Sequence, residues 1–167
     1  MIRRLLSVTF LLALPIASVF AQQKPDFSGT WTLNVAKSDF GILGGPNSRT
    51  DVIIHKGRSL SDIIVANTPQ GKQEFKHNYT TDGKATVNQL GTVEIKSTAK
   101  WVGSNLVISS TYILNAPVSS EAMWTLSPEG KTLTISTRFK GSLGNTSQNL
   151  VFEKQEAAAS TAAKAAP

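Results

Sequence analysis

The chain of 167 residues contains no cysteine. This absence excludes disulfide bonds, zinc sites built from thiolates and a lipid anchor attached to an N-terminal cysteine. Histidine is almost as scarce, since His55 and His77 are the only two. They lie on different predicted strands with no paired carboxylates nearby in sequence. We therefore predict no metal site and no cofactor.

Catalytic motifs are also lacking. There is no Gly-x-Ser-x-Gly elbow, and Gly44-Gly45-Pro46 lacks the following helix that a phosphate-binding loop needs. The acidic side chains are predicted in turns or on solvent-facing strand positions, at Asp26, Asp82, Glu129, Glu94 and Glu153. These features favour a protein that is not an enzyme; an isomerase-like activity inside a cavity is the catalytic alternative, and no residues for it are predicted.

Long apolar runs are limited to one, from Leu5 to Phe20, which follows Arg3 and Arg4. This layout, ending at Ala21, is typical of a secretory signal peptide cleaved after that alanine. A membrane-spanning helix needs about 20 apolar residues, and this run is shorter and interrupted by polar side chains. We expect residues 1–21 to be a signal peptide, the protein to be periplasmic or secreted, and no stable membrane anchor.

The C-terminal segment, residues 156–167, has neither aromatic nor branched aliphatic side chains. We expect a disordered, alanine-rich tail. Residues 22–155 then form one domain, and a domain of that size buries roughly two thirds of its unfolded surface without disulfides.

Charge is modest and evenly spread. The chain has 17 basic and 11 acidic residues, a net charge of +6, with no basic block. Binding to nucleic acid would require clustered basic residues, so we predict no nucleic-acid partner. We interpret the scattered charges as a soluble surface and expect a monomer.

What is present is a period-two alternation of apolar and polar residues, which marks half-buried strands. The alternating runs are Phe27–Leu33, Val52 with Ile54, Leu60–Val65, Phe75–Tyr79, Val93–Trp101, Leu106–Leu114, Trp124 with Leu126, Leu133–Phe139, and Leu150 with Phe152. A weaker run, from Thr86 to Leu90, is a candidate tenth strand.

Short turn sequences separate the runs, such as Thr81-Asp82-Gly83-Lys84 and Pro128-Glu129-Gly130-Lys131. We therefore predict an all-β protein, an antiparallel meander β-barrel of roughly eight to ten strands. A β-sandwich is the alternative, but it needs long crossovers, and only Lys37 to Ser48 is long enough to serve as one.

The segment Phe27–Leu33 resembles the opening strand of the calycin superfamily, the lipocalins and fatty-acid-binding proteins, through Gly29 and Trp31. Asp39-Phe40 is similar to an aromatic-acidic pair of the fatty-acid-binding branch, in inverted order. The resemblance implies a barrel whose first-strand tryptophan is covered by a late arginine, for which Arg138 is the candidate.

Two departures from these relatives bear on ligand binding. The last strand of many fatty-acid-binding proteins carries Arg-x-Tyr, which holds a carboxylate, whereas this chain has Leu150 and Phe152 there. The helical lid of that branch is also missing, unless Lys37 to Ser48 caps the barrel. The missing clamp predicts a neutral ligand.

Residues predicted to line a hollow barrel are Phe75, His77, Tyr79, Trp101, Tyr112, Trp124, Leu150 and Phe152. His77 is either a hydrogen-bonded core histidine or a polar contact in the cavity. These residues favour an exported, non-catalytic protein that binds a small, mostly apolar molecule. The alternative is a protein-facing module, an inhibitor or envelope-assembly partner, in which the same aromatic residues fill the core.

Overall fold

The computed structural model describes residues 24–116, 118–142 and 144–156. The predicted signal peptide and all of the predicted tail except Glu156 lie outside these residues. The strands are β1 (Gly29–Leu33), β2 (Ser48–Lys56), β3 (Ser59–Thr68), β4 (Gly71–Thr80), β5 (Asp82–Leu90), β6 (Val93–Val102), β7 (Asn105–Ile113), β8 (Val118–Leu126), β9 (Thr132–Gly141) and β10 (Gly144–Lys154). Two short 3₁₀ helices, Val35–Lys37 and Gly41–Leu43, lie between β1 and β2. Within the described ranges, no helix is long and apolar enough to span a membrane.

The ten strands form one antiparallel sheet in the order β4-β3-β2-β1-β10-β9-β8-β7-β6-β5. The sheet curls until its two end strands, β4 and β5, lie side by side. The prediction of an antiparallel meander barrel is therefore confirmed, and the sandwich alternative is wrong. The weakly patterned run from Thr86 to Leu90 belongs to a full strand, β5.

An asparagine side chain bridges the seam between β4 and β5. The Asn78 N–H donates to Asn88 Oδ1 at 2.7 Å, and Asn88 Nδ2 donates to the Asn78 carbonyl at 3.1 Å. The buried Asn88 amide thus supplies the donor and the acceptor that a neighbouring strand would supply. This contact explains why a polar side chain is buried on β5.

One end of the barrel is filled by an apolar core. Phe27 lies at its centre, stacked on Trp101 with ring centroids 5.8 Å apart and edge-on to Trp124 at 5.7 Å. These are the offset and T-shaped arrangements that aromatic rings favour. The buried core residues are Phe27, Trp31, Leu33, Ile53, Leu60, Ala99, Leu106, Ile108, Trp124, Leu133, Ile135, Leu150 and Phe152.

Trp31 is completely buried at this closed end, and its indole Nε1 donates to the Phe27 carbonyl at 2.9 Å. The side chain that lies over its ring is Lys154, whose Nζ is 5.2 Å from the centroid. Gly29 makes room for that lysine, because a Cβ there would lie 2.6 Å from Lys154 Cε, and its φ of +143° also disfavours other residues. Gly29 and Trp31 of the first strand therefore both take part in the contact with Lys154.

Arg138 does not cover Trp31, so the pairing implied by the resemblance is wrong. Arg138 is exposed, paired in register with Glu121 on β8 and Ser147 on β10. Strand alternation puts it on the outer wall, because its neighbour Thr137 is buried inside the barrel. The cation over Trp31 comes from β10 instead of β9.

The segment between β1 and β2 runs along β10 toward the open end. Asp39 and Asn149 exchange two backbone hydrogen bonds, of 2.8 and 2.7 Å. Farther on, the second 3₁₀ helix packs on β10 and presents Ile42 and Leu43, which are 85% and 53% exposed. The segment therefore forms one side of the rim of the open end.

Candidate ligand cavity

The open half of the barrel contains a cavity of about 140 Å³, which adjoins a mouth of about 770 Å³. Tyr112, Phe139 and Gln148 line both spaces, so the cavity and the mouth are adjacent. The filled aromatic core forms the floor, since Trp124 and Leu150 belong to both the core and the cavity wall.

The mouth is lined mainly by apolar side chains. Ile42 and Leu43 of the second 3₁₀ helix lie on one side, and Leu114, Val118 and Phe139 belong to the rest of its wall. An apolar entrance above a partly polar interior is the usual composition of a small-molecule site, in which a few polar groups set orientation.

Arg49 of β2 lines the cavity and belongs to a buried ion pair with Asp51. Arg49 Nε and Nη2 donate to Asp51 Oδ1 and Oδ2, both at 2.7 Å, in the two-pronged geometry of an arginine and an ionised carboxylate. Asp51 is completely buried, and the Arg49 guanidinium lies 5.2 Å from the centre of the Phe152 ring. Each charge therefore offsets the other inside the barrel.

Asp62 and His77 lie beside this pair. Burial and then the negative charge of Asp51 raise the pKa of Asp62 well above its usual range. Burial and then the positive charge of Arg49 lower the pKa of His77. Both shifts favour the uncharged form of the side chain, a carboxylic acid for Asp62 and a neutral imidazole for His77.

The phenol of Tyr79 is also kept neutral, because burial and then the nearby Asp62 raise its pKa above the ordinary value. Its ring meets His77 edge-on, with centroids 6.2 Å apart. On β6 and β7, Ser97 and Ser110 share a hydrogen bond of 2.8 Å between their hydroxyls. The polar wall thus carries donors and acceptors with little net charge.

No protein-family model matches this chain, and no curated protein matches it. Among solved structures, the zebrafish ileal bile acid-binding protein complexed with cholic acid superposes with a TM-score of 0.55 at 14% identity, over 77% of this chain and 98% of that one. A secretory abundant heat soluble protein of Ramazzottius varieornatus superposes with a TM-score of 0.58 at 15% identity, over 80% of this chain and 98% of that one. A variant of the REP1-NXSQ fatty acid transporter superposes with a TM-score of 0.53 at 13% identity, over 77% of this chain and 98% of that one.

The fold is a calycin-type β-barrel. The resemblance carried by Gly29 and Trp31 is confirmed at this level. Identities this low establish the fold alone.

Five of the eight residues predicted to line the interior of this calycin-type barrel do line the cavity, namely His77, Tyr79, Tyr112, Trp124 and Leu150. Phe75 is half-buried on β4 and is not part of that wall. Trp101 and Phe152 pack in or against the closed-end core instead. Whether any of these residues contacts a ligand stays a prediction.

Sequence reasoning missed Arg49, Asp51 and Asp62. On β2 the apolar Val52 and Ile54 are exposed, while the intervening Asp51 and Ile53 are buried, so apolar alternation alone indicates the wrong inner face. A signal was present, because Arg49 and Asp51 are two residues apart and so share a face of a strand. Asp62 likewise alternates with the buried Leu60 and Ile64.

The described residues contain no group of three histidine, aspartate or glutamate side chains placed to hold a metal ion.

Proposed function

We propose that this protein is an exported, non-catalytic binding protein that holds a small, mostly apolar and neutral ligand in its barrel. The observation that carries the proposal is a partly polar cavity inside the barrel that adjoins an apolar mouth. The inner cavity is smaller than the roughly 300–1,000 Å³ of typical ligand sites, so the ligand extends into the mouth.

Two of the similar structures support this proposal through their printed descriptions. One is a bile acid-binding protein with cholic acid, and another is a fatty acid transporter. Both hold the same barrel fold, and their ligands have large apolar bodies. We infer the same broad use of the interior here.

The neutral character of the ligand follows from the ion pair. The edge of the Arg49 guanidinium formed by Nε and Nη2 is already bound to Asp51, so this edge is not free to clamp a ligand carboxylate. A carboxylate in the cavity would also lie near the negative charge of Asp51. Burying such an unpaired charge is costly, which favours uncharged ligands.

The alternative of a protein-facing module with a filled barrel has less support. The closed end is filled, but the open half contains the cavity and its mouth. Aromatic residues thus serve as core at one end and as cavity wall at the other.

Export rests on the sequence of residues 1–21. We expect the exported protein to begin at Gln22. Intact-mass analysis of the exported material checks this, and a mass that includes Met1 would contradict it.

Binding inside the barrel is tested by filling the cavity. Ala122 is half-buried on β8 and lines the cavity, so Ala122→Phe is expected to weaken binding of the neutral fluorescent probe N-phenyl-1-naphthylamine about tenfold or more. Such overpacking destabilises a fold by about 1–3 kcal/mol. Melting followed by circular dichroism therefore has to show that the variant is still folded.

The matched control is Ala85→Phe, the same change at an exposed position on β5. It should leave the affinity for the probe unchanged. The proposal fails if the unmodified protein does not bind the probe, or if Ala122→Phe binds it as tightly as Ala85→Phe does.

A further inference from the structure

Two titratable side chains meet at one place on the cavity wall. Asp62 on β3 and His77 on β4 are directly opposite in the antiparallel register. Both line the cavity. Side chains of directly opposed residues on one face lie within contact distance, so a single ligand group can reach both.

Each of these side chains has a buried polar atom without a hydrogen-bond partner among the described residues, Oδ1 of Asp62 and Nε2 of His77. Asp62 is only 1% exposed. Buried polar groups in folded proteins nearly always have partners, and an unpaired one is destabilising. These two atoms therefore indicate where a bound molecule places its polar group.

The neighbouring polar side chains already have partners. Arg49 and Asp51 bind each other, and the Asn88 amide bonds to the backbone of Asn78. Tyr79 and Tyr112, the other titratable groups on this wall, are phenols. The charges that face Asp62 and His77 are thus the matched pair on β2.

We infer that Asp62 and His77 together bind a hydroxyl group of the ligand, so that the ligands are uncharged alcohols with a long-chain or polycyclic apolar body. This inference rests on the proposed function. A hydroxyl both donates and accepts. In one arrangement, the ligand hydroxyl accepts a hydrogen bond from the carboxylic acid of Asp62 and donates one to the unprotonated Nε2 of His77. In the other, the hydroxyl donates a hydrogen bond to Asp62 Oδ1 and accepts one from His77 Nε2–H.

Other head groups satisfy the pair less well. An ether or ketone only accepts, and a hydrocarbon does neither, so at least one buried atom stays unpaired. A carboxylate places a second negative charge near Asp51. An ammonium group only donates, and it must be buried near the positive charge of Arg49. The hydroxyl is therefore the preferred head group.

The test is a competition series on the unmodified protein at neutral pH. Dodecan-1-ol, dodecyl methyl ether, dodecanoic acid and dodecylamine share one apolar chain and differ in the head group. Each displaces bound N-phenyl-1-naphthylamine. Because the alcohol pairs both buried atoms and the ether pairs at most one, we expect the alcohol to bind about tenfold tighter than the ether and the acid.

Variants then locate the preference. Asp62→Leu and His77→Phe each remove one partner, and we expect the alcohol-to-ether ratio to fall to within about twofold while the ether still binds. The matched control for Asp62→Leu is Asp82→Leu, the same change at an exposed aspartate outside the cavity wall. It should keep the tenfold preference.

The possible outcomes separate the two proposals. Equal binding of alcohol and ether by the unmodified protein overturns the hydroxyl inference and leaves the binding function intact. If the amine binds tighter than the alcohol, the hydroxyl inference is wrong and an ion pair with Asp62 is favoured. If the acid binds tighter than the alcohol, the inference is wrong and an ion pair with Arg49 is favoured. Absence of probe binding removes the proposed function as well.

Discussion

Replacing Arg49 by methionine is expected to lower the free energy of unfolding by about 3–5 kcal/mol at neutral pH. The change removes the only charge bound to both oxygens of Asp51 among the described residues, and Asp51 is completely buried. A buried carboxylate without its partner must either remain charged in an apolar site or take up a proton, and both outcomes destabilise the fold. Urea denaturation measures the loss, provided that the slope of unfolding free energy against urea concentration is the same in both proteins.

The double variant Arg49→Met with Asp51→Leu removes both charges at once. Replacing a whole buried ion pair by apolar side chains is often neutral or stabilising, so we expect most of the stability to return. The control is Arg58→Met, since that guanidinium is exposed and 3.8 Å from Asp82, and it should change stability by less than about 1 kcal/mol. A loss as small for Arg49→Met as for Arg58→Met would show that the pair is not desolvated.

Trp31→Ala is expected to cost about 3–5 kcal/mol, the usual loss for truncating a buried aromatic side chain. The variant leaves a cavity at the closed end and removes the indole N–H that donates to the Phe27 carbonyl. Trp101→Ala, at a half-buried position on the same core, should cost less. Thermal and urea unfolding measure both losses.

Double-mutant cycles distinguish the two candidate cations at this tryptophan. Lys154 lies over the ring, so the Trp31→Ala and Lys154→Ala effects should couple by about 0.5–1 kcal/mol. Arg138 lies on the outer wall, so its truncation should add independently to that of Trp31. Coupling to Arg138 with strict additivity for Lys154 would contradict the structure at the closed end.

The barrel itself could be predicted because its outer wall is mostly polar and its closed end is apolar. Alternation in β9, for example, correctly indicates that Leu133 and Ile135 face inward. Alternation fails where both faces carry apolar residues, as in β2, because the open half of the interior is itself polar. Val52 and Ile54 on the outside hide the inward-facing Arg49 and Asp51.

The partner of Trp31 could not be predicted for a different reason. The resemblance specifies a late cation over the ring, and by position along the chain Arg138 is as suitable as Lys154. Only the register of β10 with β1, which pairs Trp31 with Lys154, decides between them. Cross-strand register depends on turn geometry over the whole meander and is not local information.

The polar wall changes the reason for expecting a neutral ligand. Leu150 and Phe152 occupy the positions where the resemblance to fatty-acid-binding proteins implies a carboxylate clamp, yet the interior still holds a cation, Arg49, contributed by β2. Its charge is offset by Asp51, and the pKa of Asp62 is raised by burial and by that same carboxylate. A charge-balanced wall beneath an apolar mouth fits an uncharged, amphipathic molecule.

The most direct test of ligand binding inside the barrel is isotope-filtered NOE spectroscopy of the labelled protein with unlabelled dodecan-1-ol. The account predicts contacts from the hydroxymethylene protons to the His77 ring and from the far end of the chain to methyl groups of Leu43 and Leu114 at the mouth. Contacts confined to exposed residues of the outer wall, such as Val87 and Met123, would contradict it.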